Sequence, residues 1–248
     1  MPNKALSLIS VFFMISLGAL AMLAVVPQEA DAIDFDQPGY ALIAAPKFGE
    51  VSHANEALKL RDYLVDKGWG DDRIIFLGKW TKDYADGIAT KENIKAGVDE
   101  IAKKATSDDI VFIAILDHAT EGPDGHIYFR TGDSTEETYV KDTEFEGWMD
   151  SITNFRHMVI YVASPYSGNF VDGLGGDYRI ILSDCGVDQT YKAGENTFYK
   201  ALTEAKADLD SDGKISIEEA YGWMEDKKRK LDPMFSDFDE SEDCFLFG

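Results

Sequence analysis

The chain has 248 residues, enough to bury one large core or two small ones, and its 45% hydrophobic and 12% aromatic content is that of a globular protein and too rich for disorder. With 24 Lys+Arg against 46 Asp+Glu its formal net charge is −22, which argues against a phosphate-backbone binder, since nucleic-acid affinity comes mainly from Lys and Arg; the acidity suits solubility, cation binding or a salty environment. Two cysteines, Cys185 and Cys244, exclude a disulfide framework, allow one bridge at most and leave a zinc site unsupported.

At the amino end, Lys4 precedes an apolar run over residues 5–26, then Pro27 and the small-residue sequence Ala30-Asp31-Ala32. This reads as a secretory signal over residues 1–32, cleaved after Ala32. The run is also long enough to span a bilayer, so an uncleaved membrane anchor is the alternative. Either way residues 33–248 are expected outside the cytoplasm as one domain, secreted or in the cell envelope, touching a membrane only if the segment is kept.

Residues 40–45 read as a buried strand ending at Pro46. Ser52-His53-Ala54 opens a helix whose apolar face is Ala57, Leu58, Leu60, Tyr63 and Leu64 and which ends near Gly68. A second strand covers 73–77. Thr90 with Asn93 starts a helix carrying Ile94, Val98 and Ile101 on one side. Asp109 caps a strongly apolar strand, 110–116, that delivers Asp117 and His118 to its carboxyl end. A turn follows at 122–125, a polar loop at 131–143, and a short helix with Trp148 at 145–152. The next strand, 157–162, runs into Ala163-Ser164-Pro165-Tyr166-Ser167-Gly168, and another, 179–182, into Ser183-Asp184-Cys185. Residues 198–205 read as helical.

Strands alternating with helices predict an α/β fold: a mostly parallel sheet with helices on both faces. The continuous apolar strands agree, because a parallel sheet is buried on both sides. Sites in such folds lie beyond the carboxyl ends of the strands, where Asp117-His118, 163–168 and 183–185 all fall.

Residues 208–219 match the twelve-residue EF-hand loop. Asp208, Asp210 and Asp212 supply hard oxygen ligands at positions 1, 3 and 5. Gly213 permits the sharp turn, Lys214 offers its backbone carbonyl, Ser216 stands at position 9 and Glu219 at 12 can bind bidentate. Ile215 is the usual apolar anchor, and residues 204–207 and 220–228 are expected to supply flanking helices. So many convergent carboxylates repel one another without a cation, so Ca2+ is the expected cofactor. A single loop fits a structural staple better than a paired sensor.

Four stretches in order resemble the legumain-like branch of the caspase-fold cysteine peptidases, particularly secreted prokaryotic relatives. Tyr40-Ala41-Leu42-Ile43-Ala44 is similar to the first strand and Ser52-His53-Ala54-Asn55 to the start of the first helix. Ile113-Ala114-Ile115-Leu116-Asp117-His118 is similar to the strand bearing the catalytic histidine. Residues 159–168 are similar to the strand and turn bearing the catalytic cysteine. Position 165 lies 47 residues after His118, near the roughly 50 noted for caspases. The resemblance spans about 39–246 and implies a caspase-like sheet, with His118 at the acid/base position.

The same resemblance puts the nucleophile immediately before Tyr166-Ser167-Gly168, where this chain has Pro165. Proline carries no thiol, hydroxyl or ionisable group, and it lacks the backbone N–H that is a candidate oxyanion donor. Ala163 stands where the family carries an acid facing the specificity pocket. Ser52 stands where legumain has an arginine, and Ala119 where glycine is usual. The expectation is a calcium-binding peptidase homologue with lost chemistry and, as its partner, a peptide or protein in the former cleft.

Two alternatives stand beside it: an active endopeptidase using His118 with Cys185 as displaced nucleophile, and a calcium-dependent interaction module. For Cys185 the plainer readings are a packed thiol or a bridge to Cys244. Ser164 and Ser167 flank the turn, and neighbours of a turn residue generally point elsewhere. Asp117 reads as a turn or capping carboxylate, His126 and His157 as structural, and His53, at a helix start, as structural with lining of the cleft as the alternative.

Overall fold

The computed structural model describes residues 39–46, 51–79, 85–132, 138–190, 198–227, 231–238, 244 and 246; the signal or anchor expected over 1–32 lies outside them. In chain order the strands are β1 (Tyr40–Ala44), β2 (Ile74–Gly78), β3 (Gly87–Ile88), β4 (Ile110–Leu116), β5 (Ala119–Glu121), β6 (Ile127–Phe129), β7 (Val140–Lys141), β8 (His157–Ala163), β9 (Arg179–Ser183) and β10 (Phe235–Asp237). The helices are α1 (Val51–Asp66), α2 (Lys91–Lys104), α3 (Asp142–Asp150), α4 (Asn169–Gly173), α5 (Phe198–Ala201) and α6 (Ile217–Lys227). Among the described residues no helix is long and apolar enough to cross a membrane.

Seven strands form one sheet in the order β10-β9-β8-β4-β1-β2-β3, parallel throughout except for β10 against β9. The central strands β4 and β8 are buried along their whole length, as strands covered on both faces must be. Period-2 alternation sorts their side chains into two layers. Ala41, Ile43, Phe112, Ala114, Val159 and Tyr161 meet one layer, which includes Leu60 and Leu64 of α1, Phe198 of α5 and Met224 of α6. Leu42, Val111, Ile113, Ile160 and Val162 meet the other, built from α2, α3 and α4.

Helix boundaries follow local chemistry. α1 ends as expected near Gly68, which takes φ +93°. Gly68 N–H bonds the Val65 carbonyl and Trp69 N–H the Leu64 carbonyl, a Schellman closure that only glycine enters cheaply. α2 starts where Thr90 accepts the Asn93 N–H at 3.2 Å. Thr90→Ala is expected to cost about 1 kcal/mol in urea denaturation, with Thr90→Ser retaining most of that stability.

Three expectations need correction. The polar loop at 131–143 is shorter: β7 lies inside it, and α3 begins at Asp142, whose carboxylate accepts the N–H groups of Ile127 and Thr143 and meets His126 Nδ1 at 2.8 Å. β5, β6 and β7 form a small antiparallel sheet of their own. The helix expected over 198–205 stops at Ala201, because Thr203 and Glu204 N–H groups bond three residues back and the Thr203 hydroxyl takes the Tyr199 carbonyl. Residues 204–207 are consequently turn, so the acidic loop has an exiting helix, α6, but no entering one directly before it.

Candidate functional site

The chain leaves β1 toward β2 on one side and reaches β4 on the other, so the sheet reverses direction between β1 and β4. Ligands of open α/β sheets bind in the crevice beyond the carboxyl ends at such a point. His53, in the first turn of α1 after β1, and His118, directly after β4, meet there. Their rings lie 5.5 Å apart between centroids and nearly edge to face. His53 is fully buried and His118 half-buried. His53, for which the sequence left open a structural place or one lining the cleft, therefore packs beside His118 at this crevice.

Register places the third strand end. Leu116 pairs with Ala163 on the last rung of β4 and β8, and the Asp117 N–H still bonds the Ala163 carbonyl at 3.1 Å. His118 and Pro165 are each two residues past that rung, on adjacent strands. Pro165 is buried, and Tyr166 next to it adopts φ 61°. A bulky residue takes that left-handed conformation only where its surroundings hold it. Here Tyr166 N–H bonds the Gln189 carbonyl (2.8 Å) and Asn169 Nδ2 bonds the Tyr166 carbonyl (2.9 Å). The turn that would carry a nucleophile is sharp and pinned.

Cys185 lies against the same turn, at the end of β9, the neighbour of β8 opposite to β4. After Val162 pairs with Ser183, the Asp184 N–H bonds the Val162 carbonyl, and the Cys185 thiol donates to the Ser164 carbonyl at 3.2 Å. β9 and β4 flank β8 on opposite sides, so their backbones are separated by two strand spacings, about 10 Å. Burial pushes the thiol pKa up, holding it in the protonated, poorly nucleophilic form. Cys185 and Cys244 are both buried and unbridged, so Cys185 is a packed thiol and the alternative of a bridge to Cys244 is set aside.

The neighbouring hydroxyls are also committed. Ser167 Oγ accepts the Asp184 and Cys185 N–H groups at 3.1 Å each, and Ser164 Oγ donates to the Pro165 carbonyl at 3.1 Å. Beneath this turn the Tyr161 hydroxyl donates to Asp184 Oδ1 at 2.9 Å, with both residues fully buried. Sequence reasoning read Asp184 only as a strand end. Tyr161→Phe removes that donor from a buried carboxylate and is expected to lower stability by about 1–3 kcal/mol in urea denaturation; an unchanged midpoint would exclude a structural role for the pair.

Ala163 is fully buried and belongs to the apolar layer that includes Cys185 and Phe198; Ala119 is buried at the start of β5. Asp117 is fully buried at the end of β4. The side-chain expectation for Ser52 lies outside the described residues. His157 sits at the opposite, amino end of β8 with its ring against Tyr178, and His126 is held by Asp142, so neither enters the crevice.

A second assembly lies at the start of α6. Carboxylate oxygens of Asp208, Asp210 and Asp212 all fall within 4.8 Å of one another. Gly213, at φ +90°, turns the chain so that its N–H reaches Asp208 Oδ2 at 3.1 Å, while Lys214 N–H reaches Asp212 Oδ1 at 2.7 Å. Glu219 folds back across the loop: its Oε1 accepts the Leu209 and Asp210 N–H groups and its Oε2 the Ser216 N–H at 2.9 Å. Asp208 Oδ1 is buried with no hydrogen-bond partner among the described residues. A bare buried oxygen amid like charges is costly and a hard cation relieves it, so the three aspartates could hold a metal ion, while the Glu219 carboxylate is turned to backbone N–H groups.

No family model matches the chain, and no curated protein matches it. Among solved structures, the crystal structure of protein GSU0716 from Geobacter sulfurreducens is similar, with a TM-score of 0.56 and 13% identity over 81% of this chain and 93% of that one. Likeness at that identity shows the fold alone: mixed α/β with a mostly parallel central sheet.

Proposed function

We propose that this chain is an exported, calcium-binding homologue of the legumain-like, caspase-fold cysteine peptidases that keeps a peptide-binding crevice without hydrolysing peptides. The observation that carries the reading is the position of Pro165. It stands two residues past the last rung of β8, as His118 does past the last rung of β4, on a turn held sharply by Tyr166, where covalent acyl transfer needs a thiol. His118 keeps the acid/base position of the resemblance, and Pro165 carries no thiol or hydroxyl proton for it to take. The buried, neutral Cys185 on the far side of β8 does not supply a substitute.

Asp208, Asp210, Asp212, the Lys214 carbonyl, Ser216 and Glu219 would hold the calcium ion, which supplies charge neutralisation and a rigid entry into α6. Residues 1–32 support export, with secretion or a cell-envelope location after cleavage and a membrane anchor otherwise. The partner is a peptide or protein segment lying across the strand ends. The test incubates the calcium-loaded mature chain with a peptide library and reads products by mass spectrometry. Peptides are expected intact; cleavage that disappears in His118→Ala contradicts the proposal.

A further inference from the structure

The small antiparallel sheet carries the chain away from His118. Arg130 N–H donates to the His118 carbonyl at 3.0 Å, one rung before Ala119 pairs with Phe129, so the ladder begins at His118 itself. Alternation then fixes two faces. Ala119, Ile127, Phe129 and Val140 are buried in the core layer built on α2, α3 and α4. Thr120, Tyr128 and Tyr139 turn the other way, the way of His118, and all four are half-buried. The Thr120–Tyr128 rung lies two residues past His118, about 7 Å along the strand.

Thr120, Glu121, Gly122, Pro123, Tyr128 and Tyr139 line a cavity of about 260 Å³. A Cβ at Gly122 would stand 2.5 Å from Tyr128 Cε2, so glycine there lets the ring lie against the turn. The ring is also anchored: the Tyr128 hydroxyl donates to Asp124 Oδ2 at 2.8 Å, and Lys141 Nζ donates to the same oxygen at 2.9 Å. Lys141 and then Tyr128 thereby hold the Asp124 carboxyl below the usual carboxylate range. The Glu121 carboxylate makes no hydrogen bond or ion pair among the described residues. Lys141 and Arg130 stand on this face but do not line the cavity, whose charged lining group is Glu121. A tyrosine face attracts an ammonium or guanidinium group, and Lys141 Nζ already sits 5.9 Å from the centre of the Tyr128 ring.

We propose that this cavity takes a lysine or arginine side chain of the bound peptide, two residues from the one that lies against His118, with Glu121 pairing its charge and Tyr128 and Tyr139 flanking its stem. This rests on the peptide-binding reading above. Two aromatic faces and one unmatched carboxylate complement a cation on an apolar stem and disfavour an acidic side chain. The partner class is therefore a basic peptide segment, in keeping with a chain of net charge −22.

The experiment applies the full mature chain to an array of acetylated hexapeptides in which lysine, arginine or norleucine occupies each position in turn. Lysine and arginine peptides are expected to be retained about fivefold more strongly than their norleucine counterparts. Glu121→Gln is expected to erase that preference, and Gly122→Ala, which pushes the Tyr128 ring off the turn, to weaken it. Asp66→Asn, exposed at the far end of α1, makes the same change in net charge and is expected to keep the preference in full. Survival of the preference in Glu121→Gln, or its equal loss in Asp66→Asn, would overturn the pocket in favour of attraction by overall charge. Peptide capture with no preference for a basic residue would overturn the pocket and leave the peptide reading standing. Failure to capture any peptide would overturn both.

Discussion

Asp208→Ala is expected to erase the effect of calcium on the melting temperature. An ion that binds only the folded state at one hundred times its dissociation constant stabilises by about 2.7 kcal/mol. In a domain of this size each kcal/mol moves the midpoint by about 2–4 °C, so the wild-type chain should melt some 5–10 °C higher in saturating calcium than in chelator. The variant should show one curve in both. Asp208 is the decisive position because its Oδ2 pins the Gly213 turn while its Oδ1 is buried with no partner among the described residues. Asp208→Asn keeps an oxygen for Gly213 but removes charge, and should give an intermediate shift. Identical wild-type curves with and without calcium would remove the metal from the account.

The second large effect concerns the missing thiol. Pro165→Cys is expected to make the chain reactive toward a peptidyl electrophile, with reactivity lost again when His118→Ala is added. Loss of a catalytic nucleophile costs on the order of 10⁶ in rate, so even a small fraction of that restored is measurable. The substitution returns a backbone N–H as well as a sulfur. The new side chain would stand two residues past the Leu116–Ala163 rung on β8, as His118 stands past it on β4. Ala119 and Ala163 remain in place, so trapping of the electrophile is the expected readout and multiple turnover of a peptide is not. A reactivity in Pro165→Cys that is indifferent to His118 would show that the two positions do not face each other.

Much of the sheet was legible because its strands are apolar on both faces and are bounded by unambiguous punctuation. Asp109 before β4, Thr90 at the start of α2 and Gly68 after α1 each leave a chemical reason in the sequence for a boundary in the structure. What escaped was short or conditional on partners elsewhere. β3 has two residues, β7 two and β10 three, too few for any periodicity to register. The helix read over 198–205 failed because a threonine hydroxyl and three-residue turns compete with the α ladder after Ala201, a contest that apolar spacing does not reveal.

The site divides the same way. His118, Pro165 and Cys185 were placed at strand ends by sequence, and register then separated them: one neighbour of β8 carries His118 and the other carries Cys185. The contact of His53 with His118 depends on α1 returning to the end of β4, and the Tyr161–Asp184 pair on adjacent strands of the core, and the latter leaves no local trace in the chain. The clustering of Asp208, Asp210 and Asp212 was legible because they lie within five consecutive residues, whereas the missing helix before them was not.

The most direct measurement is the mass of the wild-type mature chain, calcium-loaded, after exposure to a broad set of acylating and alkylating peptidyl electrophiles, with any adduct located by peptide mapping. The account predicts an unmodified crevice. An adduct on any side chain within 163–168 or 184–185 that His118→Ala prevents would contradict it.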